Sequence, residues 1–161
     1  MTTDRFTKTV SRRTALVSVG LLLGSAIVAG TEAAEMSVTE KTNVKLVNDF
    51  LKGWAARDAT GVKLAEFVSD DVTIQPQQEK AAVTGKAAVI VAFDDYLAKG
   101  RRWDIKVLET FAKGPVVTNS RLDASHYPGQ KGHGRPVVGV FIVQDGKIKQ
   151  WSDYRVTAQT R

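Results

Sequence analysis

Arg121-Leu122-Asp123 and, thirty-odd residues later, Trp151-Ser152-Asp153-Tyr154 carry the residues best suited to chemistry in this chain. On a β-strand, side chains two apart share a face and sit roughly 6–7 Å apart along it. Arg121 and Asp123 therefore point the same way. If the strand bearing Asp153 belongs to the same sheet, one guanidinium can bridge both carboxylates. Such a group divides its labour: one carboxyl donates a proton, the other activates a water, and the arginine holds the two in place. Charged side chains are seldom turned inward on strands without a partner. The competing reading is a solvated surface ion pair, which contributes little. Convergence of the three in one cavity separates the two readings.

The elements that must position these residues follow from periodicity. Apolar residues at Val44, Val47, Phe50, Leu51, Trp54 and Ala55 recur at three- and four-residue spacing, predicting a helix within 39–58. A second, short helix is expected over 62–68 and a third over 86–98, opened by Thr84-Gly85. Between them, residues 70–76 form a brief strand stopped by Pro76. Beyond Gly100 the pattern is strand throughout. Trp103, Ile105 and Val107 alternate, Gly114-Pro115 turns, and 116–126 extends. A glycine-rich loop spans 127–135, and Asp145-Gly146 makes a tight hairpin between strands 136–144 and 147–157. Helices followed by an antiparallel meander imply an α+β fold, with helices on one face of a curved sheet. The run from Val137 to Val143 is apolar on both faces. One face is expected to meet the helices, and the other to line an apolar cavity or a dimer contact.

Composition excludes several classes. The chain has 161 residues, 43% hydrophobic and 25% charged, enough for one folded domain. It has no cysteine, so neither disulfides nor thiolate chemistry apply. The net charge of +6 is dispersed, and no basic stripe interleaved with aromatics speaks for nucleic acid. Lys99-Gly100-Arg101-Arg102, the densest basic patch, reads as a solvated turn. His126 and His133 lack a third ligand nearby in sequence, so no metal is expected. The carboxylate pairs Asp70-Asp71 and Asp94-Asp95 read as caps or surface charge, and Ser125-His126 lacks the setting of a nucleophilic serine.

Residues 1–34 read as an export signal. Arg12-Arg13 precede an apolar run from Ala15 to Gly30, which ends in the small residues around Ala33-Ala34. The paired arginines resemble a twin-arginine signal, although Ala15 stands where an aromatic residue is usual. A general secretory signal and an uncleaved anchor are the alternatives; the expectation is a periplasmic or extracellular domain over 35–161, in contact with a membrane only through its signal.

The order of elements resembles the nuclear transport factor 2-like, or SnoaL-like, cone fold. Within it, Arg121-x-Asp123, Gly139-Val140-Phe141, Asp145-Gly146-Lys147-Ile148 and Trp151-x-Asp153-Tyr154 resemble the limonene-1,2-epoxide hydrolase family. The resemblance implies hydrolysis of a hydrophobic epoxide to a vicinal diol in one step, without metal or covalent intermediate; no cofactor is expected, and a homodimer is. It implies Asp153 as the base that activates water, Asp123 as the acid that protonates the epoxide oxygen, and Arg121 as their bridge. The family also holds its water with a tyrosine and an asparagine two apart on the first strand. Thr73 and Gln75 are the expected equivalents, and both can hydrogen-bond a water. Two other classes fit the same cone: another SnoaL-like enzyme of isomerase or cyclase type, and a non-catalytic small-molecule binding module.

Overall fold

A computed structural model describes residues 35–156 of the chain. The expected leader, 1–34, lies outside the described residues. Among the described residues no helix is long and apolar enough to cross a membrane.

Helix α1, Val38–Ala55, begins one residue earlier than its apolar periodicity suggests because Ser37 caps it. The Ser37 hydroxyl accepts from the Glu40 N–H at 3.2 Å, and Glu40 accepts in return from the Ser37 N–H at 2.7 Å. The other carboxylate oxygen of Glu40 accepts from the Gly114 N–H at 2.7 Å, fastening the helix start to a distant turn. These backbone donors, Gly114 first and Ser37 next, pull the Glu40 carboxyl down to about 2. Helix α2, Gly61–Ala65, is a single turn capped by the Thr60 side chain. Helix α3 covers Lys86–Leu97 and passes into a short 3₁₀ turn, Ala98–Gly100.

The strands are β1 (Val68–Gln75), β2 (Val83–Thr84), β3 (Arg102–Lys113), β4 (Val116–His126), β5 (Arg135–Gln144) and β6 (Lys147–Arg155). They form one six-stranded sheet in the order β2-β1-β6-β5-β4-β3. Four of the five pairings are antiparallel, and β1 runs parallel to β6. The expected mixed architecture, about three helices on a curved and mostly antiparallel sheet, is the one found. The two-residue β2, too short to leave an alternating pattern, was not foreseen. At the β5–β6 hairpin both Asp145 (φ 51°) and Gly146 (φ 69°) are left-handed, as a two-residue turn of matching twist requires.

The core lies between the concave face of the sheet and the helices. Phe50 and Trp54 of α1 and Phe93 of α3 meet Phe141 of β5 and Trp151 of β6. Phe141 and Trp151 stack at 5.9 Å with an interplanar angle of 4°, and the Phe50 ring stands edge-on to Trp151 at 5.4 Å. Such pairs add about 0.5–1.5 kcal/mol each beyond their burial. Strand β5 excludes one of the expected alternatives, a cavity on the face turned away from the helices. Val137, Gly139, Phe141 and Val143 all turn inward, so cavity and helices share one face. Val138, Val140 and Ile142 form the other, half-exposed face.

Candidate active site

Strand pairing assembles the site. In β4, Asn119, Arg121 and Asp123 occupy alternate positions and share the concave face. Gly139 of β5 lies opposite Asn119 on one side and opposite Asp153 of β6 on the other. Across one inward row the ladder therefore reads Asn119, Gly139, Asp153. This register carries Asp153 within reach of a β4 side chain although a whole strand intervenes.

Arg121 is buried to 1% exposure, and every nitrogen of its guanidinium is engaged. Nε donates to both carboxylate oxygens of Asp123, at 2.9 and 3.1 Å. Nη1 donates to Asn119 Oδ1 at 2.8 Å, and Nη2 donates to Asp153 Oδ2. The remaining Asp153 oxygen accepts from Trp151 Nε1 at 2.6 Å. Arg121 thus does what its spacing from Asp123 suggested, bridging two carboxylates inside the fold. Gly139 makes this geometry feasible. A Cβ there would run into Arg121 Nη1 and would sit 2.9 Å from both Asn119 Oδ1 and a Phe141 ring carbon. The guanidinium occupies the space a side chain would have filled.

Asp153 is 7% exposed. Burial pushes its carboxyl up from 3.8 to about 6, against the opposing pull of the Arg121 charge and the hydrogen bonds from Arg121 and Trp151. The Asp123 charge adds a smaller upward push. A carboxylate in that range is still largely ionised at neutral pH, yet it is a far better proton acceptor than an exposed aspartate.

Arg121, Asp123 and Asp153 border a cavity of about 380 Å³. Its apolar wall includes Leu51, Trp54, Trp103, Ile105, Val137 and Trp151. Trp54 serves as both core and cavity wall. Its volume lies in the ordinary range for small-molecule sites, and the lining joins that apolar wall to charged and polar side chains, so one part of the site suits the hydrocarbon of a ligand.

Two sequence-based assignments require correction. Thr73 and Gln75 do not line the cavity. Val72 and Ile74 are the inward residues of β1, so their neighbours must face the other way. Thr73 Oγ1 meets Thr84 Oγ1 at 3.1 Å, and the Gln75 amide donates to the Lys80 carbonyl at 3.0 Å. A one-residue error in strand register exchanges the two faces of a strand. The water-holding role thus passes to neither residue, and β1 contributes Pro76 and Gln77 to the cavity lining just past its end. Arg101, read as part of a solvated turn, lines the cavity mouth; it donates to the Tyr127 hydroxyl at 2.6 Å with its guanidinium over that ring.

Three contributors escaped the sequence reading: Asn119, the role of Gly139, and Trp151 as a donor to Asp153. Asn119-x-Arg121-x-Asp123 was visible as a same-face triplet. The value of Gly139 was not, because it depends on a partner strand. His133 also lines the cavity, and among the described residues no three His, Cys, Asp or Glu side chains are placed to hold a metal.

The fold is that of the nuclear transport factor 2-like, SnoaL-like proteins. Among solved structures, an LEH-like epoxide hydrolase from M. tuberculosis superposes with a TM-score of 0.64 at 22% identity, over 73% of this chain and 85% of that one. A putative SnoaL-like polyketide cyclase from Jannaschia sp. gives a TM-score of 0.62 at 21% identity, over 75% and 90%. SalBIII, an epoxide hydrolase/cyclase-like enzyme of pyran ring formation in the polyether salinomycin, gives 0.61 at 16% identity, over 73% and 92%. No curated protein matches the chain. The family model for the limonene-1,2-epoxide hydrolase catalytic domain matches residues 41–159, and the chain belongs to that family.

Proposed function

We propose that this protein adds water to a hydrophobic epoxide in one general acid–base step, giving a vicinal diol. The observation that carries the reading is the Asp123–Arg121–Asp153 group, with Arg121 and Asp153 buried, at the wall of a cavity lined in part by aromatics. Asp153 takes a proton from a water as the water oxygen forms its bond to one epoxide carbon. The bond from that same carbon to the ring oxygen breaks, and the electron pair left on the oxygen takes the proton delivered by Asp123. The base ends protonated and the acid ionised, and proton exchange between the two carboxyls, through solvent, resets the pair. Arg121 holds both carboxylates in register through the cycle. The cavity wall excludes bulk water, which strengthens each of these interactions. No metal or cofactor enters the scheme.

Two proton transfers of about 10²–10⁴-fold each, with orientation added, amount to a substantial acceleration. The test is incubation with a panel of hydrophobic epoxides, scoring diols. Diol formation lost in both Asp153→Asn and Asp123→Asn supports the reading. A wild type that opens no epoxide, yet binds an apolar ligand as well as its variants do, makes the protein a binding module. An isomerase or cyclase of the same fold would instead convert its substrate without incorporating labelled oxygen from water.

Residues 1–34 are proposed as a leader that exports the domain, on the strength of Arg12-Arg13 and the apolar run behind them. N-terminal sequencing of exported protein should begin near Ala34 or Glu35. Export unchanged after replacing both arginines with lysine would remove the twin-arginine route. A homodimer is proposed as well, on the half-exposed apolar face of β5, and sedimentation reads it directly.

A further inference from the structure

The cavity that holds the two aspartates is rimmed by positive charge that the proposed chemistry leaves unused. Besides Arg121, which binds both carboxylates of the lining, four Lys or Arg side chains line it: Arg101, Lys131, Arg135 and Arg155. Arg155 reaches Glu79 at 3.2 Å, and Arg101 engages the neutral hydroxyl and ring of Tyr127. Among the described residues, neither Lys131 nor Arg135 has a carboxylate within ion-pair distance. Strand register places these charges with respect to the reacting groups. Arg135 of β5 lies directly opposite Asp123 of β4, and Arg155 of β6 lies opposite Val137, which in turn faces Arg121. Cross-strand partners share a face, so Arg135 and Arg155 belong to the same concave surface as the aspartates, about one strand spacing of 4.8 Å from their neighbours.

The lining is therefore polarised. Trp54, Trp151 and Asp153 are buried, whereas Lys131 and Arg135 are exposed and Arg101 is half-buried, so the aromatic wall lies inside and the cations lie at the solvent side, the mouth. A neutral hydrocarbon epoxide would leave that mouth unpartnered. Unpaired cations gathered at the opening of a low-dielectric cleft raise the local concentration of anions and orient those that enter. A guanidinium beside a lysine suits a carboxylate or a related oxyanion.

We propose that the substrate is an amphiphilic epoxide bearing an anionic group, a carboxylate above all, with its ring between that group and its hydrocarbon part. The epoxide chemistry rests on the hydrolase reading, whereas the preference for an anion stands on the cavity alone. The mouth cations seat the carboxylate, the aromatic wall takes the hydrocarbon, and the oxirane is presented to Asp123 and Asp153. Lys131, Arg135 and Arg101 are binding groups here, and they touch no reacting atom.

The experiment has a binding arm and a turnover arm on the full chain. In the first, undecanoate and cinnamate displace a hydrophobic fluorophore, each compared with its primary amide, in wild type and in the double variant Lys131→Gln, Arg135→Gln. Each acid is expected to bind wild type at least about tenfold more tightly than its amide at low salt, with the advantage shrinking as salt screens the exposed charges. The double variant should lose most of that advantage. The second arm compares hydrolysis of the epoxides of 4-undecenoic and cinnamic acid with their amides, and kcat/KM should follow the same preference. Equal binding of acids and amides by wild type overturns the inference, whether or not any epoxide is opened. An acid preference that survives in the double variant and in high salt overturns it too. An acid preference with no epoxide opened upholds the anionic ligand and refutes the hydrolase reading.

Discussion

The pH dependence of turnover offers the sharpest test, because Asp153 carries a displaced titration. Its carboxyl is raised from 3.8 to about 6, with burial as the main cause and the Arg121 charge opposing. If Asp153 is the base, kcat/KM requires it ionised in the free enzyme. The rate should then fall about tenfold per unit below about 6, so that between pH 6 and pH 4 ionisation of Asp153 limits it. The assay is the initial rate of diol formation from a neutral epoxide such as styrene oxide at low substrate, less the acid-catalysed blank. A neutral substrate keeps substrate ionisation out of the profile. A rate still level at about pH 4.5 would refute Asp153 as base. The same displacement has a consequence for stability. A carboxyl whose folded value lies above its unfolded one binds more protons when folded, so its contribution is complete below pH 4 and is lost as pH rises through about 6. The shift corresponds to roughly 3 kcal/mol. Asparagine cannot ionise, so the stability of Asp153→Asn relative to wild type should improve by an amount of that order between pH 4 and 7. Urea titrations at the two pH values read it, and a constant difference would refute the displaced titration.

Asp153→Asn and Asp123→Asn should each lower kcat/KM about 10²–10⁴-fold while circular dichroism stays native, since each removes one proton-transfer step and little volume. Arg121→Ala should abolish turnover and cost about 3–5 kcal/mol in denaturant titrations, because it leaves two buried carboxylates facing each other. Gly139→Ala should displace Arg121 and reduce turnover more than about tenfold, with about 1–3 kcal/mol lost to overpacking; wild-type kinetics in this variant would show that the guanidinium has room to move. Gln75→Asn should leave the rate within about twofold, since Gln75 faces away from the cavity.

Much of this protein was legible because the relevant signals are local. The three helices, the long strands and the Asp145-Gly146 hairpin follow from periodicity and turn chemistry, and the strand over 116–126 was bounded to the residue. The likeness carried by Arg121-x-Asp123 and Trp151-x-Asp153 led to the family, since those spacings survive within single strands. Errors arose where the answer depended on which way a short strand faces. In β1 the apolar and polar residues alternate through Val72, Thr73, Ile74 and Gln75, so either set could be paired with the family's water-holding positions. Only the docking of β1 beside β6, with Ile74 opposite Trp151, turns Thr73 and Gln75 outward.

By itself the sequence determined that a cysteine-free α+β domain would carry one arginine between two aspartates, since residue type and parity within a strand require nothing distant. The tertiary structure decided the rest. Register across β4, β5 and β6 brings Asn119, Gly139 and Asp153 into one row, lets a glycine open the space that Arg121 fills, and gathers Arg101, Lys131 and Arg135 at one mouth. Pairing between strands joins residues far apart in the chain, and no spacing along the chain encodes it.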